Sequence, residues 1–407
     1  MKQHTTRQFL SPVQTPRRVL LYSGSYNHIT DGVTLTLNRL VTYLESVGIE
    51  VLVVAPTSRN PELEGAGTFF PAPSIPAPGR KEYRMGTIIP PVLRHRMTSF
   101  RPDIIHVATP DLLGRWAMSY GRRKGIPILT TYHTDFTSYL SYYNLDFLES
   151  SLIKYLRYFY SRCDLVCVPS HSMITELEHR GIQGNMRIWA RGVETDRFSP
   201  DHRSVEWRRA MGVADGVPLI TYVGRLVQEK NIHLLAEIHR RLKERQVPHR
   251  FMVVGDGPER QELETALPGQ IFTGHLKGRE LARAYASSDL FFFPSTTETF
   301  GNVVLEGMAS GLPAVCAVAT GSSDLVIDGQ TGFLTPIDRV DQFTEQIESL
   351  ALDPVLRSAM GWNARYEAEN YRWEVILGKM VEYYQEAATL LRPRHYSSSI
   401  YTAMASF

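Results

Sequence analysis

Glu298 and Glu306 stand with seven residues between them in the stretch PSTTETFGNVVLEGMASGLPAV, from Pro294 to Val315. This stretch reads as a strand end, a short loop and an apolar helix that opens at Gly301 and Asn302. A helix start offers unpaired backbone N–H groups and a partial positive charge, which together seat a phosphate. Gly301 lets a ligand approach the backbone, and Asn302 and Val303 carry the opening amides. Glu306, less than two turns further on, is placed to accept hydrogen bonds from the hydroxyls of a sugar next to that phosphate. An acid at this place can equally do no more than complement the helix dipole, by about 0.3–1 kcal/mol.

Arg225 and Lys230 follow the strand PLITYVG and bring two positive charges that match a diphosphate without a metal. A Mg²⁺-dependent nucleotide enzyme needs clustered carboxylates, and the chain has no Asp-x-Asp pair. Gly255 and Asp256, in GDGPE, end the strand RFMVVG as a plain turn or as part of a nucleotide pocket. His133, in TYHTDF, lies at another strand end between Tyr132 and Asp135. The chain lacks Gly-x-Gly-x-x-Gly, and EVLVVAPT ends without an acid for a ribose, so a dinucleotide oxidoreductase fits poorly. Cys163, Cys167 and Cys316 are too few for a disulfide framework and offer zinc no second ligand pair, which points to a reducing compartment.

The elements that must position these residues form two similar series. In the first half, RRVLLYS, a Gly-bearing loop, the helical pattern TLTLNRLVTYLESVG and the strand EVLVVAP open a parallel α/β sheet. RPDIIHVATP, GIPILTTYHTD and CDLVCVPS continue it as apolar runs, the pattern of strands covered on both faces. In the second half, PLITYVG, NIHLLAEIHRRLKER, HRFMVVG, QIFTG, DLFFFPS and LPAVCAV repeat the plan. Arg191–Arg203 reads as a polar linker, Pro71–Arg84 as a long Pro-rich surface loop, and 371–391 as a final amphipathic helix before a loose tail at 392–407. Ligands of open α/β sheets bind outside the carboxyl ends of the strands, where all the candidates above fall.

Of 407 residues, 43% are apolar and 21% charged, an ordinary composition for a protein with a real core. No apolar run reaches the roughly 18 residues that span a bilayer, and the N-terminus lacks the apolar region of a secretory signal. Residues 1–200 hold 23 Lys+Arg and 16 Asp+Glu, whereas the rest hold 21 and 26, so the basic charge sits in the first half. An anionic lipid or an acidic acceptor suits that half, and so does a merely solvated surface. The helix around FLESSLIKYLRYFYSRC has a core face at Leu148, Leu152, Tyr155, Leu156, Phe159 and Cys163, while Lys154, Arg157 and Arg162 leave a membrane-surface role open.

Together, ETFGNVVLEGMASGLP, GRLVQEKN, VGDGPE, FTGHL, YHTD, DGV and RGVET resemble, in kind and order, the retaining glycosyltransferases of the GT-B fold, family 4. The resemblance runs from about Arg17 to Leu391. It is strongest to the subgroup of GDP-mannose-dependent α-mannosyltransferases and sulfoquinovosyl-diacylglycerol synthases. It implies two doubly wound Rossmann-like α/β domains facing a cleft: an acceptor-side domain, 1–195, completed by the C-terminal helix 371–391 crossing back, and a nucleotide-sugar domain, 204–370. By that resemblance Arg225 and Lys230 hold the diphosphate with the amides of Gly301, Asn302 and Val303. Glu306 holds the ribose, Glu298 the transferred sugar, and Gly255, Asp256 and Leu276 border the base. His133 contacts the sugar, Gly32 lets its loop approach the phosphates, and Tyr132 and Asp135 stand on the acceptor side. The implied reaction is metal-free front-face transfer with retention, from GDP-mannose or a UDP-sugar to a lipid or glycan. No cofactor and no nucleic acid is expected, and the place expected is the cytoplasm or the inner face of a membrane. A non-catalytic sugar-nucleotide-binding protein is the alternative from another class. The chain departs from the family pattern at Glu194, where Asp is usual, at Gly307, where Ala is common, and at Thr320, where a Gly-Gly pair is frequent.

Overall fold

The computed structural model describes residues 15–77, 80–133, 147, 149–298 and 300–390. The chain divides into two compact units. The first comprises Met1–Cys167, Arg180–Arg187 and Lys379–Phe407, and the second Val168–His179 and Ile188–Gly378.

The first half of the chain alternates strands and helices: β1 (Arg18–Tyr22), α1 (Gly32–Ser46), β2 (Glu50–Pro56), β3 (Thr68–Ala72), β4 (Ser74–Ala77), β5 (Arg80–Gly86) and α2 (Pro91–Phe100). It continues with β6 (Ile104–Val107), α3 (Leu112–Lys124), β7 (Ile128–Thr131), α4 (Glu149–Tyr160), β8 (Leu165–Val168), α5 (His171–His179) and β9 (Met186–Ile188). The sheet order is β3-β2-β1-β6-β7-β8-β9. The pairs from β3 across to β8 are parallel, which explains the unbroken burial of β6, β7 and β8. Asp31 starts α1 by accepting from the Thr34 amide, and Asp111 does the same for α3 at Gly114.

Two expectations change here. Pro71–Arg84 is not a plain loop: it completes β3 and forms most of the antiparallel ribbon β4–β5, with Ile75 opposite Met85. Pro76 pairs with Arg84 where the register of the ribbon shifts, a place that tolerates proline, and Arg84 binds both the hydroxyl and the carbonyl of Ser74. Arg191–Arg203, expected as a linker, is an ordered segment of the second unit. The Val193 amide donates to the Tyr371 carbonyl, and one Arg365 nitrogen donates to the carbonyls of Thr195, Phe198 and Ala309.

The second half runs through α6 (Val205–Ala210), β10 (Leu219–Val223), α7 (His233–Glu244), β11 (Arg250–Val254), α8 (Arg260–Ala266), β12 (Ile271–Gly274), α9 (Gly278–Ala286) and β13 (Leu290–Phe293). Then come α10 (Asn302–Ala309), β14 (Ala314–Ala317), β15 (Gly332–Thr335), α11 (Val340–Leu352), α12 (Pro354–Ala368) and α13 (Trp373–Thr389). Its sheet is wholly parallel, in the order β12-β11-β10-β13-β14-β15. Phe251, Phe291, Phe292 and Phe293 are buried in it, and Phe343 of α11 meets Phe292 edge-on. The final helix begins in the second unit and belongs to the first from Lys379 onward.

Candidate active site

In the second sheet the strand order turns at β10 and β13, so the loops after these two strands part and leave a crevice. The loops after β10, β11, β12 and β13 and the first turns of α10 line one cavity of about 670 Å³, which lies within the second unit. Glu298, Arg225, Lys230, Gly255, Asp256, Leu276, Gly301, Asn302, Val303 and Glu306 all line it. The sequence reading did not single out Arg191, His275, Phe293 and Phe300, which line it too. Arg191 opens the stretch that reads as a linker; RGVET and FTGHL are the sequence signals for it and for His275.

Close backbone packing shapes the walls. Gly255 has φ +138°, and a Cβ there would fall 1.9 Å from the Gly224 carbonyl oxygen, so only glycine lets the β10 and β11 loops touch. Gly301 precedes α10 with φ +85°, and among the described residues no side chain caps that helix, so its opening residues Asn302 and Val303 line the cavity with uncapped amides. Gly321 follows Thr320. Its amide donates to the Glu298 carbonyl at 3.0 Å, and a Cβ there would lie 2.7 Å from the Phe300 carbonyl carbon and 2.9 Å from the Gly301 nitrogen. Gly321→Ala is therefore expected to displace the Glu298–Gly301 loop and to cost about 1–3 kcal/mol. A thermal melt at unchanged Tm contradicts this.

The charges are paired unequally. Lys230 Nζ lies 2.6 Å from Glu298 Oε1 and 3.0 Å from Thr297 Oγ1, with the two ionic side chains only 16% and 27% exposed. Arg225 is exposed, lines the cavity, and forms no ion pair among the described residues. Its own carbonyl accepts from the Tyr222 hydroxyl at 3.0 Å, which anchors the loop.

Glu306 differs from both. Burial pushes its carboxyl up to about 7, against the lowering effect of the Tyr285 hydrogen bond and of Arg197. The buried Tyr285 hydroxyl sits 3.0 Å from the Val303 carbonyl and 3.2 Å from Glu306 Oε2. The phenol has one proton to give, so a protonated Glu306 can donate to it while it donates to Val303. The unfolded chain releases the Glu306 proton near 4.5 and the folded chain holds it to about 7. Stability is then lost as pH rises through this window, by up to about 3 kcal/mol. Thermal melts from pH 4.5 to 7.5 should show a shallower fall for Glu306→Gln than for the parent; parallel curves contradict the shift.

The remaining candidates lie in the first unit. Gly32 opens α1, and a Cβ there would meet no heavy atom within 4 Å. His133 follows β7, with Nε2 2.8 Å from Thr131 Oγ1. Tyr132 is only 4% exposed and packs against Tyr160. Asp135, Leu148 and the tail at 392–407 lie outside the described residues. Leu156, Phe159 and Cys163 are buried, as the helical spacing requires.

Two family descriptions match the chain: "Glycosyltransferase Family 4" over residues 30–197 and "Glycosyl transferases group 1" over residues 204–367. The GDP-mannose-dependent alpha-mannosyltransferase of Corynebacterium glutamicum is 33% identical over 92% of this chain and 90% of its own. The chain is a family 4 glycosyltransferase. This transferase is also 32% identical to the sulfoquinovosyl transferase of Arabidopsis thaliana, over 95% of this chain and 74% of that one. Its fold matches the sucrose-phosphate synthase of Thermosynechococcus elongatus with a TM-score of 0.69, at 20% identity over 91% of this chain and 98% of that one. The two parallel-sheet units of the transferase are thus those of the GT-B fold. Among the described residues no helix is long and apolar enough to cross a membrane, and no group of three His, Cys, Asp or Glu is placed to hold a metal ion.

Proposed function

We propose that the transferase moves mannose from GDP-mannose to a lipid or glycan hydroxyl with retention at the anomeric carbon and without a metal. The cavity carries this reading: Arg225, Lys230 and the uncapped start of α10 line it together with Glu298 and Glu306. Cations and amides of this kind stabilise the charge that grows on a leaving diphosphate, often the largest catalytic contribution. The bond from the anomeric carbon to the phosphate oxygen breaks while the acceptor oxygen bonds to the same face. The acceptor proton passes to the departing phosphate. Glu298 positions the sugar, Glu306 the ribose, Gly255, Asp256 and Leu276 the base, and His133 serves the sugar. GDP-mannose is favoured because the Corynebacterium relative of that name matches nearly end to end. The basic first half of the sequence favours an acceptor held at an anionic membrane surface.

The test is turnover with GDP-mannose and with UDP-sugars, in EDTA, over a panel of lipid and glycan acceptors, with the product anomer read by NMR. An α-mannoside formed in EDTA supports the proposal. A β-product, a requirement for added metal, or release of UDP in preference to GDP overturns the corresponding part of it.

A further inference from the structure

Asn231 has a backbone form that favours glycine, with φ +53° and ψ +33°, and closes the 3₁₀ turn Gln228–Lys230 that follows β10. Asparagine is among the few side chains that this left-handed region tolerates. Glycine would adopt it without strain, so the amide side chain answers another need. Its nitrogen donates to the Pro294 carbonyl at 3.1 Å and to the Thr296 hydroxyl oxygen at 3.3 Å. A carbonyl only accepts, so the nitrogen of the amide, and not its oxygen, must face Pro294.

Pro294 and Thr296 lie in the loop after β13, and Asn231 ends the loop after β10. These are the two loops that part where the strand order turns, and both belong to the second unit. The residue before Asn231 is Lys230, whose ammonium reaches Thr297 at 3.0 Å and Glu298 at 2.6 Å on the same opposite loop. Two consecutive residues thus stitch one loop to the other, but by bonds of different kinds. Lys230 and Glu298 line the cavity, and on their proposed roles a sugar diphosphate competes for both of their charged tips. Asn231, Pro294 and Thr296 stand behind the lining, so their bonds are left intact when the cavity fills.

We infer that Asn231 is a positioning residue: its amide clamps the β10 loop to the β13 loop and so holds the Lys230 ammonium and the Glu298 carboxylate in register. The inference deepens the proposed function, because it rests on Lys230 serving the diphosphate and Glu298 the sugar. Without the amide, the side-chain ties between these loops are those of Lys230, which the donor must open. A misplacement of about 1 Å at a reacting group costs about 10²-fold in rate.

The experiment uses two variants of the full chain. Asn231→Gly keeps the left-handed turn and removes the amide. Asn231→Asp keeps the turn and the shape but sets an oxygen against the Pro294 carbonyl. The first readout is labelling of the ligand-free protein with acetic anhydride, followed by mass spectrometry. Lys230, 16% exposed in its ion pair, should label severalfold faster in both variants than in the parent. Lys243, exposed on α7, should label at the parent rate. The second readout is kcat with whichever of GDP-mannose and UDP-glucose the parent turns over, and it should fall by about 10- to 10²-fold in both variants. Unchanged labelling of Lys230 overturns the inference. So does an equal rise at Lys243, which reports a general loosening, and so does a parent-like kcat. If one variant does not fold, the other carries the test. The labelling needs no substrate, so a parent that transfers no sugar removes the proposed function while the labelling still decides whether Asn231 holds Lys230 in place.

Discussion

Glu298→Ala lowers sugar transfer by roughly 10²–10³-fold and changes the affinity for the free nucleoside diphosphate by less than about threefold. The size is that of losing one preorganised group at the reacting centre. The asymmetry follows from the ion pair. Glu298 pairs with Lys230 at 2.6 Å. On the proposed roles, its removal frees an ammonium for the diphosphate while taking from the sugar the carboxylate that positions it. Glu298→Gln keeps the shape and loses the charge, so it should fall between the parent and the alanine variant in turnover. Rates of GDP release with acceptor, set beside calorimetric affinities, check both halves. Equal turnover in parent and Glu298→Ala removes Glu298 from the mechanism.

The double variant Arg225→Ala/Lys230→Ala weakens nucleoside diphosphate binding by roughly 10²–10⁴-fold, since hydrogen bonds to charged groups contribute about 1.5–3 kcal/mol each. The two cations should not count equally. Arg225 has no ionic partner among the described residues and is exposed to the cavity, so Arg225→Ala alone loses a contact to ligand and little else. Lys230→Ala also strands a Glu298 carboxylate of 27% exposure, so it should cost stability as well as affinity. Binding of the uncharged nucleoside should be unchanged in all three variants. A double variant that binds the diphosphate as the parent does contradicts the assignment of this cavity.

The strands that position the site were legible because parallel strands covered on both faces are written as apolar runs. EVLVVAP was read as a strand and is β2, Glu50–Pro56, with burial unbroken from Val51. DLFFFPS gave β13, and the glycine-marked helix start after it gave the loop that holds Glu298 and Gly301. The β4–β5 ribbon was hidden by Pro76 within β4 and by Pro73 just before it, which give the stretch a loop composition. The segment after Arg191 looked like a linker because it is polar, and its order comes from Arg365, far along the chain. In the site, residue types and strand ends were readable, but pairings were not. Nothing local says that Lys230 meets Glu298, 68 residues on. The raised carboxyl of Glu306 is likewise a property of burial beside Tyr285 and is invisible in the spacing of the two glutamates.

The most direct measurement is calorimetric titration of the intact protein, in EDTA, with GDP, GDP-mannose, UDP and UDP-glucose. The account predicts saturable one-to-one binding of GDP and GDP-mannose, tighter than the UDP compounds and weakened by raised salt as Arg225 and Lys230 require. Binding of none of the four would contradict the assignment of the cavity between the β10 and β13 loops as a nucleotide-sugar site.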